Sequence, residues 1–152
     1  MTRFADVDGK PVLSRDSAEE LGRVTGVAIA LDPPRVTSLV VKSGRKTGVV
    51  PRERVTSFGP DAVVVGSDDA WREPSTDDDE RAAGGRSVPV GTRVLTDAGN
   101  ELGTVSDGEF DPGNGTVVAV FAQDRPIDAQ RLRGLGSYAL VVRADADLEM
   151  RD

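Results

Sequence analysis

Glu20-Leu21-Gly22-Arg23-Val24-Thr25-Gly26-Val27-Ala28-Ile29-Ala30-Leu31 is the stretch on which the fold turns. Val27, Ile29 and Leu31 share one parity, and Gly26, Ala28 and Ala30 share the other. That is the two-residue alternation of a β-strand with one face toward a core. Leu21-Gly22 stands where the chain enters the strand, and glycine there admits a positive φ or a bulge. A phosphate cradle would need a helix directly after the glycine, and no helical period follows.

The same stretch returns later in the chain. Glu20-Leu21-Gly22-Arg23-Val24 reappears as Glu101-Leu102-Gly103-Thr104-Val105, and Val12-Leu13-Ser14 as Val94-Leu95-Thr96. Arg35 to Val40 matches Thr116 to Phe121, Val50 to Val55 matches Ile127 to Leu132, and Ala62 to Val65 matches Ala139 to Val142. The order is kept throughout, so the chain reads as two copies of one unit. Short Val-rich runs alternate with turns at Asp32-Pro33-Pro34, Ser43-Gly44, Gly59-Pro60-Asp61 and Asp111-Pro112-Gly113-Asn114. Ser14–Leu21 and Pro51–Val55 are long enough for single helical turns only. The expected fold is all-β: two tandem small antiparallel β-barrels, packed as a pseudo-symmetric pair. Their boundaries are 1–67 and 92–144. Residues 68–91, with Pro74-Ser75-Thr76-Asp77-Asp78-Asp79-Glu80 and Gly84-Gly85, read as a solvated acidic linker, and 145–152 as an acidic tail.

Composition excludes several chemistries. The 152 residues contain no Cys and no His, which removes disulfides, thiolate nucleophiles, imidazole bases and Cys/His zinc sites. Aromatics are 4 %, so the core must be built from Val, Leu, Ile and Ala. The net charge of −7 lowers the expectation of nucleic-acid binding. No apolar run approaches the ~20 residues of a membrane-spanning helix, and the first residues lack a signal-peptide pattern, so the expected location is the cytoplasm. Neither paired carboxylates in an apolar setting nor a serine-nucleophile signature stands out, so an enzyme is not expected and no cofactor is implied.

Leu13, Leu21-Gly22-Arg23-Val24, Arg35-Val36-Thr37-Ser38-Leu39-Val40-Val41, Val50-Pro51-Arg52-Glu53-Arg54-Val55 and Asp61-Ala62-Val63-Val64-Val65 together resemble a PRC-barrel domain. That family includes the cytoplasmic domain of the photosynthetic reaction-centre H subunit, the C-terminal domain of a 16S rRNA processing factor and many stand-alone bacterial and archaeal proteins. The second copy departs where Asp128 replaces Pro51 and where Asp124-Arg125-Pro126 suggests a shortened hairpin. The resemblance implies an adaptor rather than a catalyst: a non-enzymatic module binding an unidentified protein. A ribosome- or RNA-associated assembly factor is the alternative, and a ligand or ion sensor in the groove between barrels is a third reading.

The candidate interface residues follow from the pattern. In the second copy the outer parity carries Asp107, Glu109 and Asp111, as a solvated face should. In the first it carries Gly26, Ala28 and Ala30. Either the other barrel or a second chain covers that face, giving self-association through barrel one, or an Ala-rich strand is simply exposed. Asp107, Glu109 and Asp111 are also weak candidates for a hard cation, set against the reading of a solvated strand. Residues 1–67 carry ten basic and eight acidic side chains, making Arg45, Lys46, Arg52 and Arg54 the one plausible face for an anionic partner. They lack the interleaved aromatics of an RNA platform. Trp71, the only tryptophan, is an interface anchor, or else folds back over its own barrel mouth or fills the groove between barrels.

Overall fold

A computed structural model of the chain describes residues 1–144; the acidic tail expected at 145–152 lies outside the described residues. Two short elements open the chain, β1 (Thr2–Arg3) and α1 (Phe4–Val7). The first Val-rich unit then forms β2 (Pro11–Ser14), β3 (Glu20–Ala30), β4 (Arg35–Ser43), β5 (Lys46–Pro51), β6 (Val55–Phe58) and β7 (Val63–Val65). They lie in the order β5-β4-β3-β2-β7-β6. After α2 (Asp77–Ala83), the second unit forms β8 (Arg93–Thr96), β9 (Glu101–Phe110), β10 (Val117–Ala122), β11 (Arg125–Asp128), β12 (Leu132–Leu135) and β13 (Leu140–Val142). Their order, β11-β10-β9-β8-β13-β12, repeats the first sheet strand for strand.

The expectation of antiparallel barrels needs correction on two points. β2 pairs β7 in parallel, Val12 opposite Val63, and β8 pairs β13 in parallel, Val94 opposite Leu140. Each sheet is therefore mixed. The sheets are also open, because the outermost strands of each order do not pair with one another. A unit this small is marginal by itself. The two open sheets instead share one continuous core, to which the first contributes Val27, Ile29, Val36 and Val63 and the second Val105, Phe110, Val117 and Ile127.

The Leu-Gly entries behave as their sequence suggests. Each faces a register shift, Val12/Leu13 opposite the first and Val94/Leu95 opposite the second. Gly103 takes φ 116, and a Cβ at Gly22 would come within 2.9 Å of the Val41 side chain. The second hairpin is shorter in its strands, four paired positions between β10 and β11 against six between β4 and β5, and Gln123 and Asp124, both at positive φ, close it through a two-residue turn.

Two straps fasten the halves reciprocally. The first leaves its own sheet at Gly9, whose N–H donates to the Val24 carbonyl, and reaches the other sheet where Thr2 pairs with Phe110 and Arg3 with Glu109. The second starts at Gly91, donating to the Val105 carbonyl of its own sheet. It crosses to the first, where the Ile29 N–H donates to the Ser87 carbonyl at 2.9 Å. Hairpin tips meet as well: Val36 N–H donates to Gly115 O (2.8 Å) and Val117 N–H to Pro34 O (3.1 Å).

Residues 68–91 are not the solvated linker that their acidity suggests. Asp68–Ala70 forms a 3-10 turn, and Asp77–Ala83 a helix whose N-cap is Thr76, its side chain accepting from Asp79 N. Four acidic residues in the first turn suit the positive end of the helix dipole. Ala82 packs with Ala28, Val40 and Val49 in a second apolar cluster on the outer face of the first sheet.

Candidate interaction surfaces

The small-residue face of β3 is covered, and by neither of the expected partners. Ala28 is fully buried beneath α2, and a Cβ on Gly26 would lie 3.2 Å from the Val88 side chain. Ala30 is half-buried at the edge of a cleft between the halves. The chain's own intervening segment occupies this face, so it does not serve self-association through barrel one. Gly26, Ala28 and Ala30 are small because a helix and a strap must sit close to the strand.

Trp71 folds back on its own unit. Its Nε1–H donates to the Val41 carbonyl at 3.0 Å, and its ring lies against Gly48, where a Cβ would come within 2.6 Å. Arg72 continues the cover by exchanging both backbone hydrogen bonds with Val49 on β5. Beyond it, the Arg72 guanidinium grips Asp79 in a bidentate pair, both contacts at 3.0 Å, which ties the 3-10 turn to α2. Burial alone would push the Asp79 carboxyl up. Hydrogen bonds from the Arg72 side chain and the Ser75 N–H outweigh burial and hold it below the ordinary carboxylate range.

The four cations of the first unit do not form one patch. Lys46 is bound to Glu73 at 2.8 Å, a hydrogen bond that holds its ammonium above the usual lysine range. Arg54 pairs with Asp69 at 2.6 Å; hydrogen bonds from Ser67 and then Arg54 keep that carboxyl low. Arg52 lies against Gly115 at the hairpin tip of the other half, and Arg45 stands exposed in the β4–β5 turn.

Residues 1–71 match the PRC-barrel domain. The matched span begins with the strap and ends at Trp71, so it takes in both the segment that the first unit lends to the other sheet and the indole that covers its own. A search of curated proteins found no match.

The carboxylates facing the first strap are structural. Asp107 Oδ1 accepts from Ala5 N–H at 3.1 Å and from Gly108 N–H at 2.7 Å, while Arg3 approaches Asp107 and Glu109 at 3.8 and 3.9 Å. Asp111 accepts from Gly113 N–H within its own turn. Rather than a solvated face, the first two are docking points for the strap. Among the described residues no cluster of acidic side chains is placed to hold a metal ion.

One surface residue escaped the sequence reading. Tyr138, the only tyrosine, is 71 % exposed at the tip of the β12–β13 loop. Its hydroxyl accepts from Arg93 Nη1 at 3.0 Å, and the guanidinium carbon lies 5.1 Å from the ring centroid. Arg93 is braced in turn by Glu101 at 3.7 Å. Being the chain's sole tyrosine, and sitting in a Gly136-Ser137-Tyr138 turn rather than a strand, was the available signal.

Proposed function

We propose that this protein is a non-enzymatic interaction module of the cytoplasm, a rigid pair of PRC-barrel-like units that presents a binding surface to another protein. The observation that carries this reading is Tyr138, exposed yet held by Arg93. Tyr and Arg are among the residues that anchor protein interfaces, and a side chain fixed before binding loses little rotamer freedom on docking. The fastened halves supply the rigidity behind it. The repeat of strand order supports treating the second half as a PRC-barrel-like unit too. Among the described residues, no helix is long and apolar enough to cross a membrane.

The test is affinity capture from native lysate with the tagged protein, with and without nuclease, at two salt concentrations, beside the Tyr138→Ala variant. A discrete partner that survives nuclease and salt, and is lost at least about tenfold with Tyr138→Ala, is the expected outcome. Ribosomal components released by nuclease or salt would replace this reading with that of a ribosome-associated factor.

A further inference from the structure

The pseudo-two-fold relation between the halves creates two equivalent junctions, and they are filled differently. At one, Phe110 of β9 meets Phe58 of β6 edge-on at 5.5 Å, and the strap adds Phe4, whose ring centroid is 5.9 Å from that of Phe110. The parallel pairings Val12–Val63 and Val94–Leu140 place Leu135 opposite Phe58 in the repeat, and the long strands place Ile29 opposite Phe110. The second strap is shorter and sets Ser87 beside Ile29. With smaller residues and no ring, this junction holds a cleft of about 450 Å³, within the size range of small-molecule sites, and a cleft of about 400 Å³ lies beside Phe58 and the first strap at the other.

Three arginines from three separate elements line it: Arg35 of β4, Arg81 of α2 and Arg133 of β12. None of them makes an ion pair among the described residues. Their hydrogen bonds go to backbone carbonyls: Arg35 to Pro33 O (2.9 Å), Arg81 to Leu135 O (3.5 Å), and Arg133 to Gln130 O (2.8 Å) and Leu132 O (3.3 Å). A guanidinium has five N–H donors, so each keeps several for a ligand. In a chain of net charge −7, this cleft gathers three guanidinium groups, none of them neutralised by a carboxylate partner among the described residues. Planar guanidinium forks suit the oxygens of phosphate.

We propose that this cleft binds the phosphate group of a small organic monophosphate. Asp32 and Asp78 also line it. They oppose a polyanion such as nucleic acid while leaving room for a single dianionic group. Ala30 and Leu31 supply apolar surface on which the organic part can rest. The site does not depend on the Tyr138 surface, so either can fail without the other.

Isothermal titration of the full chain at low salt, with inorganic phosphate and with ribose 5-phosphate, tests it, with ribose as the control. Saturable binding of ribose 5-phosphate and none of ribose is expected. Arg81→Ala and Arg133→Ala, checked for native circular dichroism, should each weaken binding about tenfold or more. Asp78→Asn should tighten it about threefold by removing a like charge, a change of opposite sign that loss of folding cannot mimic. Arg45→Ala should leave it unchanged. No saturable binding of either phosphate up to about 10 mM, or binding indifferent to the arginine variants, overturns the proposal.

Discussion

Asp79 is one of four consecutive acidic residues, and it alone is buried. Its neighbours suit the helix dipole from solvent, whereas Asp79 accepts from the Arg72 guanidinium, from Ser75 N–H at 3.1 Å and from Ser75 Oγ at 3.2 Å. Removing it strands a guanidinium and a backbone donor together. Asp79→Ala should therefore destabilise the protein by about 2 kcal/mol in urea unfolding, against roughly zero for exposed Asp77→Ala. The same carboxyl sets an acid limit. Its folded pKa lies below the unfolded value, so its contribution is present in full above about pH 4 and is lost as pH falls through the lower folded value. Wild-type stability should fall more steeply than that of Asp79→Ala over this range, which urea titrations at stepped pH measure. The sequence shows a run of four like charges; which one turns inward depends on where Arg72 arrives after Trp71 has docked. That is a tertiary fact with no local signature.

The straps and α2 divide along the same line between local and distant information. Thr76 followed by three aspartates and a glutamate, with Gly84-Gly85 beyond, carries the marks of a short capped helix. It reads as a linker because seven residues are too few to stand without packing, and the packing surface is the distant β3 face. The alternation in Val24–Leu31 was legible, and cover over Gly26, Ala28 and Ala30 was one of two readings it left open; the identity of the cover was not legible. The strap Thr2–Lys10 has no periodicity at all. Its hold rests on Phe4, 2 % exposed, whose ring lies over Gly108 where any Cβ would collide with it. Phe4→Ala should cost about 3 kcal/mol, and hydrogen exchange should rise at the Thr2–Phe110 pairing before the rest of the sheet. Unchanged exchange there would mean that backbone pairing alone holds the strap.

At the scale of the molecule, the repeat, the strand positions and the two-unit plan were all readable, because Val-rich alternation and turn residues are local. Closure was not. Whether a curled sheet seals on itself or opens toward a neighbour is decided by how much side-chain volume its interior holds, and these interiors are filled by rings such as Phe4 and Phe110 that cross from one half to the other. Since the core is continuous and each half holds a piece of the other, the two sheets should melt together. Calorimetry should give one transition whose calorimetric and van't Hoff enthalpies agree; two resolved transitions would mean that the straps fasten less than their contacts suggest.

Tyr138 and Arg93 have counterparts in the first half at the same places in the sheet, and these are Asp61 and Pro11. Two identical chains related by a true two-fold axis must display every surface feature twice. Joining the halves into one chain lifts that obligation. The halves keep the mutual support of a dimer, independent of concentration, while having a front and a back: one exposed tyrosine, one junction packed with aromatic rings and one lined by arginines. One copy of the chain therefore offers each of these features once.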